Sequence, residues 1–130
     1  MDNDRITLLK GILKSGISPI LLEDFPVNVF SDAVILESNC NSSELNGHYE
    51  ETEFCPPNWY IELVNKSMPV LVINNINKIP NNEQIKFIEI LKYNKISTVE
   101  LHKNCIIVVI ANNMKEYPIT EEVYSLVAHI

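Results

Sequence analysis

Two rhythms of apolar residues alternate along this chain. Between residues 5 and 14, Ile6, Leu8, Leu9, Ile12 and Leu13 recur at helical spacing, with Lys10 and Lys14 among them. Asn3 or Asp4 suits the cap of such a helix, and Gly16 suits its end. The pattern then changes to short unbroken apolar runs. Pro19-Ile20-Leu21-Leu22-Glu23 is the first, Ala33-Val34-Ile35-Leu36-Glu37 the second, Pro69-Val70-Leu71-Val72-Ile73 the third and Cys105 to Ala111 the longest. Runs so short and rich in β-branched residues predict strands buried on both faces. The helical rhythm returns in three places. Pro57-Asn58-Trp59 opens a short helix through Leu63 and Val64. Asn81-Asn82-Glu83-Gln84 approximates a capping box ahead of Ile85, Ile88 and Leu91, with Phe87 and Ile90 widening the apolar face. A last helix starts near Thr120, where Glu121 and Glu122 suit the positive end of its dipole and Val123, Leu126 and Val127 form its apolar side. Residues 39 to 57 are polar and turn-rich, which predicts a long loop.

Strand-like runs alternating with amphipathic helices predict an α/β fold with a small, mostly parallel sheet and flanking helices. No repeat and no change of composition divides the chain, so residues 1–130 read as one domain. The expected core comprises Ile20, Leu22, Val34, Leu36, Leu71, Ile73, Ile88, Leu91, Ile107, Val109 and Leu126. The strands beginning at Val70 and Cys105 are expected to be adjacent and parallel, because a right-handed crossover through the helix at 82–94 joins them. The join between the strands at Ile20 and Ala33 is short. About eight extended residues cover at most roughly 26–29 Å. The second strand is therefore expected antiparallel beside the first or at the sheet edge, and the edge is favoured.

Composition narrows the functions. The chain is 46% hydrophobic, enough for a core, and has no apolar run near the ~20 residues of a membrane span. Met1-Asp2-Asn3-Asp4-Arg5 is acidic and polar, unlike a secretory leader, so the expected location is the cytoplasm and no membrane partner is expected. Net charge is −7 and Arg5 is the sole arginine, which argues against nucleic acid as a partner. Cys40, Cys55 and Cys105 lack C-x-x-C spacing and read as reduced thiols. His48 precedes Cys55 by seven residues, a weak zinc-pair signal, and no metal or cofactor is expected. Cys105 opens an apolar run and reads as a small core residue.

The segment order resembles the AAA+ ATPases, and within them the MoxR-like and dynein-related branch, from about Ser18 onward. The strand Ile20-Leu21-Leu22-Glu23 leads into Asp24-Phe25-Pro26-Val27-Asn28-Val29-Phe30-Ser31, where the family carries the phosphate loop G-x-x-x-x-G-K-[ST]. Asp24 and Val29 stand at its glycine positions, Phe30 at its lysine, and only Ser31 matches. Glycines let backbone N–H groups wrap phosphates, and the lysine supplies positive charge to them. An aspartate, a β-branched residue and a phenylalanine oppose both. The helix that should follow is missing as well. Ser43-Glu44-Leu45-Asn46-Gly47, then Phe54-Cys55-Pro56-Pro57 ahead of Trp59, is similar to a polar loop and helix entry of the MoxR-like proteins; a plain surface loop explains it equally well.

Val70-Leu71-Val72-Ile73-Asn74-Asn75-Ile76-Asn77-Lys78-Ile79-Pro80 is similar to the Walker B segment. Asn74 replaces the aspartate that holds Mg²⁺, and Asn75 the glutamate that activates water. An amide is no general base and a poor Mg²⁺ ligand. Asn112, at the end of the Cys105 strand, matches the sensor asparagine. The sequence offers no arginine for a finger and no lid-forming helices before Ile130. The resemblance thus implies a reduced P-loop NTPase core that is a pseudo-ATPase, with no catalytic residues. Asp24, Val29, Phe30, Ser31, Asn74, Asn75 and Asn112 mark the degenerate site.

No other catalytic pattern emerges. Ser31-Asp32 lacks a glycine elbow, His48, His102 and His129 have no partner at fixed spacing, and Glu50, Glu51 and Glu53 read as a solvated loop. The expected function is a non-catalytic, protein-interacting or regulatory module. Its partner is expected to be a second copy or an intact AAA+ protein. Tyr49 and Phe54 are the candidate contact residues, whereas Trp59 and Tyr60 read as packing the short helix. The alternatives are a nucleotide-binding switch without turnover, a subunit whose active site another chain completes, and an unrelated α/β enzyme.

Overall fold

The structure is a computed structural model that describes residues 3–30, 32–102 and 104–130. In chain order the elements are α1 (Asn3–Ser15), β1 (Ile20–Glu23), β2 (Val34–Glu37), α2 (Ser42–Asn46), β3 (His48–Glu50), β4 (Glu53–Cys55), α3 (Asn58–Val64), β5 (Val70–Asn74), α4 (Asn81–Gln84), α5 (Ile88–Tyr93), β6 (Lys95–Ile96), β7 (Val99–Glu100), β8 (Ile106–Ala111), α6 (Glu121–Tyr124) and β9 (Ala128–His129). One five-stranded sheet runs β2-β5-β8-β1-β9, and every pairing in it is parallel. No described helix is long and apolar enough to cross a membrane.

The sheet is buried on both faces because its strands feed alternate residues to two layers. Ile20, Leu22, Val72, Val108 and Ile110 face a cluster with Leu9 of α1, Phe25 and Phe30. Leu21, Leu71, Ile73, Ile107 and Val109 face the opposite cluster, closed by Leu45, Trp59, Leu63, Phe87, Ile90, Leu91 and Val123. Nine of the eleven expected core residues are buried; Ile88 and Leu126 are half-buried against the second cluster.

The sequence expectations hold for the strands and change elsewhere. β5 and β8 are adjacent and parallel, in register Val70 with Ile106. β2 occupies the edge, parallel to β5, and among the described residues one turn of 3₁₀ helix, Val27–Val29, lies between β1 and β2. Being at the edge, β2 buries Val34 and Leu36 while Ile35 and Glu37 are exposed, so it is covered on one face rather than two. The helix at 82–94 is broken. α4 gives way to a 3₁₀ turn at Ile85–Phe87 before α5, and this change of winding brings Phe87 and Ile90 inward in place of Ile88. It begins after Pro80 without a side-chain cap, so the capping-box reading of Asn81–Gln84 is corrected. Asn94, at φ 54°, ends α5 in the left-handed conformation.

Residues 39 to 57 are not a loop. Asn41 caps α2 through a complete capping box with Glu44, and the chain then folds into the β3–β4 hairpin. Gly47 joins them at φ 76°, where an added Cβ would fall 2.4 Å from the Cys55 carbonyl oxygen. Thr120 caps α6 as its hydroxyl accepts from the Val123 N–H, but the helix lasts only to Tyr124. The chain then turns to add β9 beside β1, with the Ala128 N–H donating to the Pro19 carbonyl.

Candidate functional site

Parallel strands deliver their carboxyl ends to one rim of the sheet, where ligands of open α/β sheets bind. At this rim the ends of β1, β5 and β8 bring Asp24, Asn74, Asn75 and Asn112 together around a shallow hollow of about 380 Å³, completed by Phe25, Pro26 and Val27. Four of the seven positions marked in the sequence therefore converge. Val29 and Phe30 do not: Phe30 is 8% exposed and both pack into the α1-side cluster. Ser31 lies outside the described residues.

Each polar residue of this hollow is engaged by a hydrogen bond, Asn75 and Asn112 with each other and the rest with neighbouring groups. Asp24 adopts φ 55° and Asn75 φ 59°, a left-handed conformation that Asp and Asn tolerate better than other side chains. The Asp24 N–H donates to the Ala111 carbonyl at 2.8 Å, and Asp24 Oδ1 accepts the Asn113 N–H at 2.9 Å, which ties the end of β1 to the end of β8. Asn112 Nδ2 donates to Asn75 Oδ1 at 2.7 Å. Asn74 Nδ2 donates to the Glu37 carboxylate at 3.1 Å. Such a site offers amide donors and acceptors, and Asp24 is the one carboxylate among its lining residues.

Three residues that the sequence reading passed over hold the rim from below. Asn77, 3% exposed, donates from Nδ2 to the Asn112 and Tyr117 carbonyls at 2.7 Å each, and its Oδ1 accepts the Asn112 N–H at 3.1 Å. Gln84, fully buried, donates to the Ile79 and Pro118 carbonyls and accepts the Thr120 N–H at 2.9 Å. Ser38 donates from Oγ to the Asn75 carbonyl at 2.7 Å. A signal for Gln84 was present: it stands three and seven residues before Phe87 and Leu91, on the same inward stripe. Asn77 gave none, because its partners lie 35 and 40 residues away.

The chain matches no protein-family model and no curated protein.

Tyr49 and Phe54 are direct cross-strand partners in the hairpin, with ring centroids 5.2 Å apart. Tyr49 is 55% exposed and Phe54 half-buried. Trp59 is buried and donates from Nε1 to the Leu45 carbonyl at 3.0 Å, and half-buried Tyr60 packs on the same cluster, so both serve the core. His48 and Cys55 stand opposite each other in the same hairpin. His102 Nδ1 accepts the Asn104 N–H, and His129 lies 3.4 Å from Glu23. Arg5 donates to the Glu23 carbonyl at 2.9 Å and stacks over Phe25. Burial pushes the Cys105 thiol up to about 11, partly opposed by a hydrogen bond with the Leu71 backbone. Burial also raises Cys40, against the pull of Lys86.

Proposed function

We propose that this chain is a reduced AAA+-like domain without nucleotide chemistry, which works through contact with another protein chain. The carrying observation is that the groups assigned by resemblance to phosphate, Mg²⁺ and water are committed to other tasks. Phe30, at the lysine position, fills the α1-side cluster. Asn74, at the Mg²⁺-ligand position, is bonded to Glu37, and Asn75, at the base position, is bonded to Asn112. Ordering a triphosphate there would compete with these bonds, and no lysine or arginine is among the residues that line the hollow. The family part of the reading is supported by the sheet order, in which β1 and β2 are not neighbours, as expected for an AAA+ sheet.

The contact surface is the Tyr49–Phe54 face of the hairpin. Exposed aromatics are over-represented among residues that dominate interface energies. Glu50, Glu51 and Glu53 surround the tip and favour a basic partner surface. That partner is a second copy or an intact AAA+ protein.

Two measurements test this. Millimolar MgATP is expected to leave the melting temperature unchanged. A ligand at 100 times its Kd would add about 2.7 kcal/mol, so a shift of several degrees refutes the loss of nucleotide binding. The double variant Tyr49→Ser, Phe54→Ser is expected to stay folded and to weaken self-association or binding to an intact AAA+ protein. A clean monomer at high concentration in light scattering, together with no binding to such a protein, sinks the contact reading.

A further inference from the structure

The hairpin has a second face with different chemistry. In a two-stranded antiparallel pair, alternate residues share a face, so His48, Glu50, Glu53 and Cys55 lie together and Tyr49 and Phe54 lie opposite. His48 pairs directly with Cys55 and Glu50 with Glu53 across the Glu51-Thr52 turn. This brings an imidazole, a carboxylate and a thiol into one group whose ligand atoms all lie within 4.8 Å of one another. His48 Nε2 is already 3.4 Å from Glu50 Oε1.

We propose that His48, Glu50 and Cys55 form a binding site for a zinc-class divalent ion. The donor set selects the metal. Nitrogen and sulfur donors suit Zn²⁺, whereas Ca²⁺ and Mg²⁺ want oxygen alone. Bonds of about 2.0–2.3 Å in a tetrahedron put ligand atoms roughly 3.3–3.8 Å apart. The observed spread needs a closure of about 1 Å, within reach of side-chain rotation at His48 and Glu50, which are 55% and 74% exposed. The backbone beneath is fixed on both sides. Gly47 leaves no room for a side chain against the Cys55 carbonyl, and the Tyr49–Phe54 stack holds the register from the other face. Cys55 is a free thiol. It binds as thiolate, so metal entry releases the thiol proton to solvent. Three protein ligands leave one position open, and His48 also borders a cleft of about 730 Å³.

The test uses the full chain, stripped with a chelator and titrated with Co²⁺ as a coloured substitute for Zn²⁺. One ion per chain is expected to bind tighter than about 0.1 mM, with the near-ultraviolet band of a cobalt–thiolate bond, and excess Zn²⁺ is expected to erase it. Cys55→Ser is expected to abolish the band. His48→Gln and Glu50→Gln are each expected to weaken binding at least about tenfold, and Cys40→Ser to leave it intact. Circular dichroism of each variant confirms that the fold survives. The proposal is overturned if no saturable binding occurs, if Cys55→Ser keeps the band, or if Cys40→Ser removes it. None of these outcomes bears on nucleotide binding or on the Tyr49–Phe54 contact.

Discussion

Replacing Asn77 with leucine isolates the amide clamp under the sheet rim. The side chain is 3% exposed and makes three hydrogen bonds to backbone groups: the Asn112 carbonyl, the Tyr117 carbonyl and the Asn112 N–H. Leucine keeps the branching and the number of side-chain heavy atoms but is bulkier, so some overpacking adds to the polar loss. Each buried group left without a partner costs about 1–3 kcal/mol. Three such groups set an upper range of roughly 3–9 kcal/mol. Relaxation of the 112–120 segment toward water lowers this to about 3–5 kcal/mol, at least a fifth of the 5–15 kcal/mol typical of a domain. For a chain of 130 residues that is a fall in melting temperature of about 10–20 °C. Urea denaturation followed by tryptophan fluorescence reads it directly, because Trp59 is buried in the cluster on this side of the sheet. Asn75→Gly is the matched control. It removes one half-buried amide that bonds only the Asn112 side chain, and glycine accepts φ 59° freely, so its cost is expected below about 1 kcal/mol. If Asn77→Leu costs no more than Asn75→Gly, the clamp does not hold the rim and the reasoning fails.

Gly47→Ala sets a side chain at φ 76° against the Cys55 carbonyl, and is expected to cost at least about 2 kcal/mol by the same denaturation assay. The triple variant Asp24→Gly, Val29→Gly, Phe30→Lys installs the phosphate-loop residues that the proposed AAA+ likeness calls for. It is expected to show no ATP turnover in a phosphate-release assay, because Asn74 and Asn75 remain, and to melt well below the parent, because the new ammonium enters the α1-side cluster. For Cys105, the folded thiol is raised from the ordinary 9.0 to about 11. Its contribution is therefore complete below pH ~9 and is lost as pH rises through about 11, a difference of roughly 2–3 kcal/mol. Cys105→Ala is expected to lose less stability than the parent between pH 8.5 and 11, measured by urea denaturation; equal losses refute the assignment.

The strands were legible in the sequence because an unbroken apolar run carries its own explanation. Ile20–Glu23, Val70–Asn74 and Ile106–Ala111 must be buried on two faces, and a five-stranded parallel sheet is what buries them. The short join after β1 favoured the edge for β2 but left an antiparallel place beside β1 open, and only the pairing of β2 with β5 decides it. The α2–hairpin segment was less legible, since polar residues 39 to 57 hide their order in local bonds: Asn41 with Glu44, and Tyr49 with Phe54. β9 escaped notice because two residues carry no periodicity, and only the neighbouring β1 makes Ala128–His129 a strand. The candidate site divides in the same way. The sequence marked Asp24, Asn74, Asn75 and Asn112, each at the end of a strand, and a parallel sheet gathers strand ends at one rim. It could not say that the Asn75 and Asn112 amides bond each other, nor that Asn77 and Gln84 stand beneath them, because those bonds join residues some 35 positions apart. His48, Glu50 and Cys55 are the sharpest case. Along the chain the His48–Cys55 spacing is only a weak zinc-pair signal, and the hairpin register is what puts an imidazole, a carboxylate and a thiol on one face.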